Sequence, residues 1–283
     1  MTKVAVVRLG AMGSRIASRL LESGNELVVW NRDPAKTTPL VEQGAVAAES
    51  PVEAARRVEV AITMVSDPQA LQGVTEGADG VAAAAEGKTL VQMSTVGSAA
   101  VSRLASVLPE GAELLDAPVL GSVNEAESGT LKIFAGGEQA LVERWTPLLS
   151  ALGTVLHVGS VGAGSAAKLV ANETLVGVIG VLGEALAIAK ALGLSNEVAF
   201  DVLGVTALAD QAARRRESFE KGEYPARFGL SLARKDADLI LEAAEAAGIE
   251  LRLVPAAREW LAEAEQAGGG NEDYSAVLAR IVP

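Results

Sequence analysis

The chain has no cysteine and a single histidine, His157, and these two shortages remove whole classes of chemistry. Disulfides, thiolate nucleophiles and cysteine-ligated metals are impossible. One imidazole and no paired-carboxylate motif argue against a dedicated metal site, and His157, at the end of a short apolar run, reads as structural. Basic side chains are also scarce, 24 against 36 acidic ones, for a formal net charge of −12. A nucleic acid or an anionic membrane demands a basic face on its partner, so the charge argues against both. It leaves open an anionic small molecule held in a locally positive pocket. No secretory leader is visible, because the apolar start runs at once into a glycine turn, and the chain is expected to be cytoplasmic. The longest apolar tract, 169–192, carries Lys168, Asn172, Glu173, Glu184 and Lys190 within or beside it, and is expected to be a buried helix rather than a membrane span.

What is present is an alternation that changes character once. Up to about residue 160, β-rich runs at 58–65, 89–93, 113–116, 131–135 and 154–158 are separated by helical stretches such as 34–42, 51–57 and 99–107. Such alternation predicts an α/β Rossmann-type fold with a doubly wound parallel sheet. After Gly159-Ser160-Val161-Gly162-Ala163-Gly164 the β signal stops, and helices are expected at about 165–192, 195–203, 206–220, 229–247, 252–267 and 272–280. The reading is therefore two domains, 1–161 and an all-α 162–283, joined by the long helix at about 165–192.

The first domain opens with Val4-Ala5-Val6-Val7-Arg8-Leu9-Gly10-Ala11-Met12-Gly13, an apolar strand entering a glycine turn and then a helix. In such a turn one glycine lets the backbone approach a pyrophosphate and the next lets helix pack on strand, while the helix N-terminus offers unpaired N–H groups. Arg8 stands where the first glycine of the pattern belongs. An ordinary strand-to-helix junction is the competing reading of this stretch alone. A second run, Glu26–Trp30, ends in Asn31-Arg32-Asp33-Pro34-Ala35-Lys36, at the distance where this fold reads the adenosine ribose. Asn31 is neutral and Arg32 offers donors suited to phosphate oxygens, so NADP(H) is expected to be preferred, with NAD(H) possible. The plainer alternative is that Arg32 and Lys36 are solvated surface charges.

Two further constellations carry chemistry. Lys168 and Asn172 lie four residues apart and share one helical face, where an ammonium and a carboxamide suit a substrate oxygen. Leu120-Gly121-Ser122, after Asp116-Ala117-Pro118-Val119, puts glycine beside a hydroxyl, a combination that makes a backbone-lined anion pocket or simply a tight turn.

With Leu9-Gly10-Ala11-Met12-Gly13, Met93-Ser94-Thr95, Asp116 through Leu131, Lys168 to Asn172 and Phe228 through Lys235-Asp236 in this order, the chain resembles the β-hydroxyacid dehydrogenase family over its whole length. That family includes 3-hydroxyisobutyrate dehydrogenases and glyoxylate/succinic semialdehyde reductases. The resemblance implies hydride transfer between a nicotinamide and a hydroxyacid or semialdehyde, with Lys168 as the catalytic acid/base. It implies substrate contacts from Ser94, Leu120, Gly121, Ser122 and Asn172, and cofactor contacts from Leu9, Gly10, Ala11, Met12, Gly13, Asn31, Arg32, Lys36, Val65, Thr95 and Lys235. A homodimer or homotetramer through the helical domain is implied as well.

Three departures set this chain apart from the pattern it resembles: Arg8 for glycine, Leu120 for a hydroxyl residue, and Gln92 for an acidic one. Two rival readings follow, an imine reductase and a cofactor-binding protein without turnover. Retention of Lys168 speaks against the first, and retention of Lys168, Asn172 and Lys235 against the second.

Overall fold

In the computed structural model, residues 2–282 are described. They fall into two compact units, Met1–Leu169 and Val170–Pro283. The first unit holds β1 (Lys3–Val7), α1 (Ala11–Glu22), β2 (Glu26–Trp30), α2 (Thr38–Val41), β3 (Val46–Ala47), α3 (Pro51–Arg56) and β4 (Val60–Thr63). There follow α4 (Pro68–Thr75), β5 (Thr89–Gln92), α5 (Gly97–Val107), β6 (Glu113–Asp116), β7 (Val119–Leu120), α6 (Val123–Ser128), β8 (Leu131–Gly136), α7 (Gln139–Leu149) and β9 (Gly153–Gly159). The strands form one sheet in the order β3-β2-β1-β4-β5-β6-β8-β7, with β9 also on β8.

From β3 to β6 the pairing is parallel throughout, so helices cover both faces and the strands are apolar on both sides. Val4 and Val6 of β1 enter one core with Ile16, Leu20 and Ile62, while Ala5 and Val7 enter the other with Val28, Ala54 and Leu90. The sheet departs from the expected all-parallel form at one end, where β8 runs antiparallel to β6 and β7. A connection of one short helix, α6, brings the chain straight back beside β7. Such a short link suits an antiparallel return rather than a crossover.

The strand order reverses between β1 and β4, the place where open sheets of this kind leave a crevice beyond the carboxyl ends of their strands. Residues 8–13, 31–36, 64–65 and 94–95 follow β1, β2, β4 and β5 there.

The long helix α8 (Ala163–Ala191) begins in the first unit and ends in the second. The rest of the second unit is α9 (Asn196–Leu203), α10 (Ala209–Lys221), α11 (Leu230–Ala246), α12 (Leu253–Gln266) and α13 (Val277–Ile281). Leu182, Leu230, Ala233, Leu261 and Leu278 form its interior. The stretch expected as one helix at 272–280 is instead a 3-10 turn, Tyr274–Ala276, followed by α13. Asp273 sets that start, accepting from the Ser275 N–H at 3.1 Å and its hydroxyl at 2.6 Å.

α8 also corrects an expectation. Val176, Ile179, Leu182 and Leu186 are buried at helical spacing, whereas Val170, Val181 and Ile188 on the other side are exposed, Val170 and Ile188 by 60% or more. The helix is apolar on both sides and this chain covers one of them. By length and composition alone it would also fit a bilayer.

Candidate active site

The glycine turn fits a dinucleotide by the space around its backbone. A Cβ on Gly13 would stand 2.1 Å from the Arg8 carbonyl oxygen, so only glycine lets α1 pack this closely on β1. A Cβ on Gly10 would meet no heavy atom within 4 Å, which leaves the backbone there open to a ligand. Gly10 caps α1 without a side-chain hydrogen bond, and the first turn holds no acidic residue, so its N–H groups and dipole remain available to phosphate.

Asn31 holds the glycine turn from the end of β2. Its Oδ1 accepts the Leu9 N–H at 3.0 Å and its Nδ2 donates to the Asp33 carbonyl at 3.0 Å, so its amide latches the glycine turn to the end of β2. Arg32 and Lys36 are exposed and have no carboxylate partner among the described residues. Asp33, between them, caps the Ala35 N–H at 3.1 Å.

Val65 and Ser94 are joined to each other. Ser94 is fully buried, and its Oγ accepts the Val65 N–H at 2.8 Å. Gln92 grips the same residue, accepting the Ser94 N–H at 2.5 Å and donating to its carbonyl at 2.9 Å. The Ser94 side chain therefore faces inward and ties the loops after β4 and β5 together. Thr95, the next residue, is half-buried.

Lys168 sits on a helix whose start is anchored to the sheet. Asp116, at the end of β6 and fully buried, accepts the Ser165 N–H at 2.7 Å and the Ser165 hydroxyl at 2.8 Å. Gly164 makes that approach possible, since a Cβ there would lie 2.1 Å from the Asp116 carbonyl oxygen and 2.4 Å from that of Phe134. Burial raises the Asp116 carboxyl above its ordinary range, against the Ser165 and Gln92 hydrogen bonds that lower it. Lys168, one turn beyond Ser165, is only 8% exposed, not the solvated side chain that a lysine near a helix start usually is.

In the second unit, Asn172 and Lys235 share a partner that sequence reasoning missed. Asp236 accepts the Asn172 Nδ2–H at 2.5 Å and pairs with the Lys235 ammonium at 2.5 Å. Its place beside Lys235 in the sequence was the only signal. Among the described residues no group of three His, Asp or Glu side chains is arranged to hold a metal, and His157 uses its Nε2 on the Gly137 and Gly159 carbonyls, at 2.9 and 3.1 Å.

The Leu120-Gly121-Ser122 loop leads directly into a helix cap. Ser122 begins α6 and directs both its N–H, at 2.7 Å, and its hydroxyl, at 2.6 Å, to the carboxylate of Glu125. The donors expected to meet a substrate anion are already engaged by the chain's own carboxylate.

Comparison with known proteins agrees with this architecture. Residues 3–162 match a family described as the NAD binding domain of 6-phosphogluconate dehydrogenase, and residues 162–281 match the NAD-binding domain of NADP-dependent 3-hydroxyisobutyrate dehydrogenase. The chain is 32% identical to glyoxylate/succinic semialdehyde reductase 1 of Arabidopsis thaliana, covering 99% of this chain and 98% of that one. It is also 32% identical to the 3-sulfolactaldehyde reductase of Escherichia coli K12, with 99% and 96% covered. The structure of Mycobacterium tuberculosis 3-hydroxyisobutyrate dehydrogenase with L-serine superposes with a TM-score of 0.90 at 26% identity over the whole of both chains. The chain belongs to the β-hydroxyacid dehydrogenase family of NAD(P)-dependent oxidoreductases acting on CH–OH groups.

The loop around Glu125 now yields an expectation about substrates. Glu125→Gln removes a negative charge from the Ser122 donors while keeping the shape of the cap. It is expected to lower KM for a carboxylate-bearing carbonyl by about three- to tenfold, with kcat and the KM of a neutral carbonyl little changed. Steady-state kinetics on a semialdehyde and its methyl ester check this, and equal changes for both would show that Glu125 only caps α6.

Proposed function

We propose that this chain is an NADP(H)-preferring enzyme that transfers hydride between nicotinamide and a small hydroxyacid or semialdehyde, with Lys168 as proton donor and acceptor. The observation that carries this reading is the burial of both Lys168 and Asn172, one turn apart on α8, at 8% and 2% exposure. Burying an ammonium on a mostly apolar helix is costly, and functional sites are where such cost is retained.

The reduced cofactor, when bound, supplies a hydride to the carbonyl carbon. Leu9, Gly10, Ala11, Met12 and Gly13 hold its phosphates on the start of α1, Arg32 and Lys36 meet a 2′-phosphate, and Val65 and Thr95 line its path. Lys235, held by Asp236, is assigned a cofactor contact by the family resemblance. Lys168 Nζ gives its proton to the carbonyl oxygen as negative charge develops there, and takes it back in oxidation. Asn172, with its amide oriented by Asp236, donates to the same substrate, whose far end lies against Leu120, Gly121 and Ser122. Leu120 makes that end less polar than a hydroxyl residue would. The exposed apolar side of α8, with Val170, Val181 and Ile188, supports a homodimer or homotetramer through the helical domain.

Consumption of NADPH with a panel of aldehydes, keto acids and cyclic imines tests the reaction class. Turnover of a semialdehyde, and none of the imines, is expected; turnover of imines alone would favour the imine reductase reading. Arg32→Ala tests cofactor choice. It is expected to weaken NADPH by about 1.5 to 3 kcal/mol, the worth of a charge-assisted contact, and NADH far less. Equal losses for the two cofactors, measured by fluorescence titration, would remove Arg32 from 2′-phosphate recognition.

A further inference from the structure

Arg8 is the one residue other than glycine with a left-handed backbone among the described residues, at φ 82°. The turn imposes that angle. The Arg8 N–H donates to the Trp30 carbonyl at 2.8 Å, and its own carbonyl faces the bare side of Gly13. Fifteen glycines adopt positive φ elsewhere in the chain, so the protein regularly places glycine where this geometry is needed. A side chain kept against that preference is grounds for seeking a function for it.

The charge around Arg8 indicates which function. Most arginines of this acidic chain are paired: Arg15 with Glu127, Arg19 with Glu22, Arg57 with Glu53, Arg103 with Glu76 and Arg144 with Glu113 in the first unit. Arg8, Arg32 and Lys36 have no such partner among the described residues. All three follow the carboxyl ends of the adjacent strands β1 and β2, and Arg8 is hydrogen-bonded to the residue just before Asn31-Arg32. In a chain of net charge −12, three unpaired cations gathered at one corner of the sheet mark a site for concentrated negative charge.

We infer that Arg8 is a cofactor-specificity residue, a second arginine that joins Arg32 in holding the 2′-phosphate of NADP(H), and that the left-handed strain is retained for this contact. The assignment rests on the NADP(H) reading above. It explains why the first glycine of the turn is replaced by a guanidinium rather than by a small residue. Glycine would relax the backbone and forfeit the charge.

Three variants separate charge from backbone: Arg8→Gly removes both, Arg8→Gln removes the charge and keeps the Cβ, and Arg8→Lys keeps a charge. Dissociation constants for NADPH and NADH are measured by fluorescence titration at low and high salt, and melting temperature without cofactor. Arg8→Gly is expected to melt about 2 to 4 °C higher. It should nonetheless bind NADPH about tenfold more weakly at low salt, with NADH changed less than about threefold. Arg8→Gln should lose NADPH affinity similarly without the gain in melting temperature, and Arg8→Lys should recover part of it. High salt should shrink the wild-type advantage, as screening requires.

NADPH held by Arg8→Gly at low salt as tightly as by wild type, or more tightly, overturns the assignment and leaves Arg8 as strain alone. If wild type prefers NADPH and Arg32→Ala erases the preference while Arg8→Gly does not, the Arg8 assignment fails and the NADP(H) reading stands. If wild type binds NADPH no better than NADH, both fail.

Discussion

Lys168→Ala is expected to reduce carbonyl turnover at least about a hundredfold while leaving NADPH affinity within about twofold of wild type. The split follows from the proposed role. A general acid acts on charge that develops in the transition state, so its loss appears in kcat, whereas the proposed holders of the cofactor phosphates, the glycine turn and the cations after β2, lie far along the chain from α8. Lys168→Met keeps the aliphatic length and burial without the ammonium, and is expected to match alanine in rate but to lose less stability, since it leaves no cavity at a position only 8% exposed. Single-turnover measurements at saturating NADPH give the chemical step directly. Turnover within a few fold of wild type in both variants would mean that Lys168 neither gives nor takes the proton.

The placement of that lysine was legible in the sequence, and its support was not. Spacing of four put Lys168 and Asn172 on one helical face, and alternation of strands with helices gave the sheet and its glycine turn. These are local signals, read within a window of a dozen residues. The contacts that fix the site are not local. Asp116 and Ser165 are 49 residues apart, and Asn172 and Asp236 are 64 apart, so no periodicity links them. Ser94 shows the same limit from the other side: the family resemblance assigns it to substrate, and only the position of the Val65 N–H reveals that its hydroxyl is engaged. The Ser122-to-Glu125 cap is written in the sequence as serine followed three residues later by glutamate, while the adjacent glycine leaves an anion pocket and a tight turn both open. α8 misled for a further reason. A helix apolar all round reads as buried all round, yet a single chain covers only one side of it.

Asp116→Ala is expected to cost about 2 to 4 kcal/mol of stability, because the Ser165 N–H and hydroxyl would be left buried without their acceptor. The loss should extend to the reaction, since Ser165 is one turn from Lys168 and the carboxylate ties that turn to β6. Asp116→Asn separates shape from charge. It retains an oxygen acceptor for the Ser165 N–H, and the Ser165 hydroxyl can rotate to accept from the new amide, so kcat should stay near wild type. The pH dependence is expected to differ between the two proteins in a definite direction. Burial holds the Asp116 carboxyl above its ordinary value, so between that value and the raised one the folded chain retains a proton that the unfolded chain has released. Stability from this group is therefore lost as pH rises through the window, and is fully present only below it. The amide does not titrate, so wild type should lose ground to Asp116→Asn with rising pH across the window, read as the difference in urea unfolding free energy at a series of pH values. A difference that moves the other way would mean that the N-terminus of α8 and the two Ser165 donors outweigh burial, and that Asp116 anchors the helix under Lys168 as a fully favourable carboxylate.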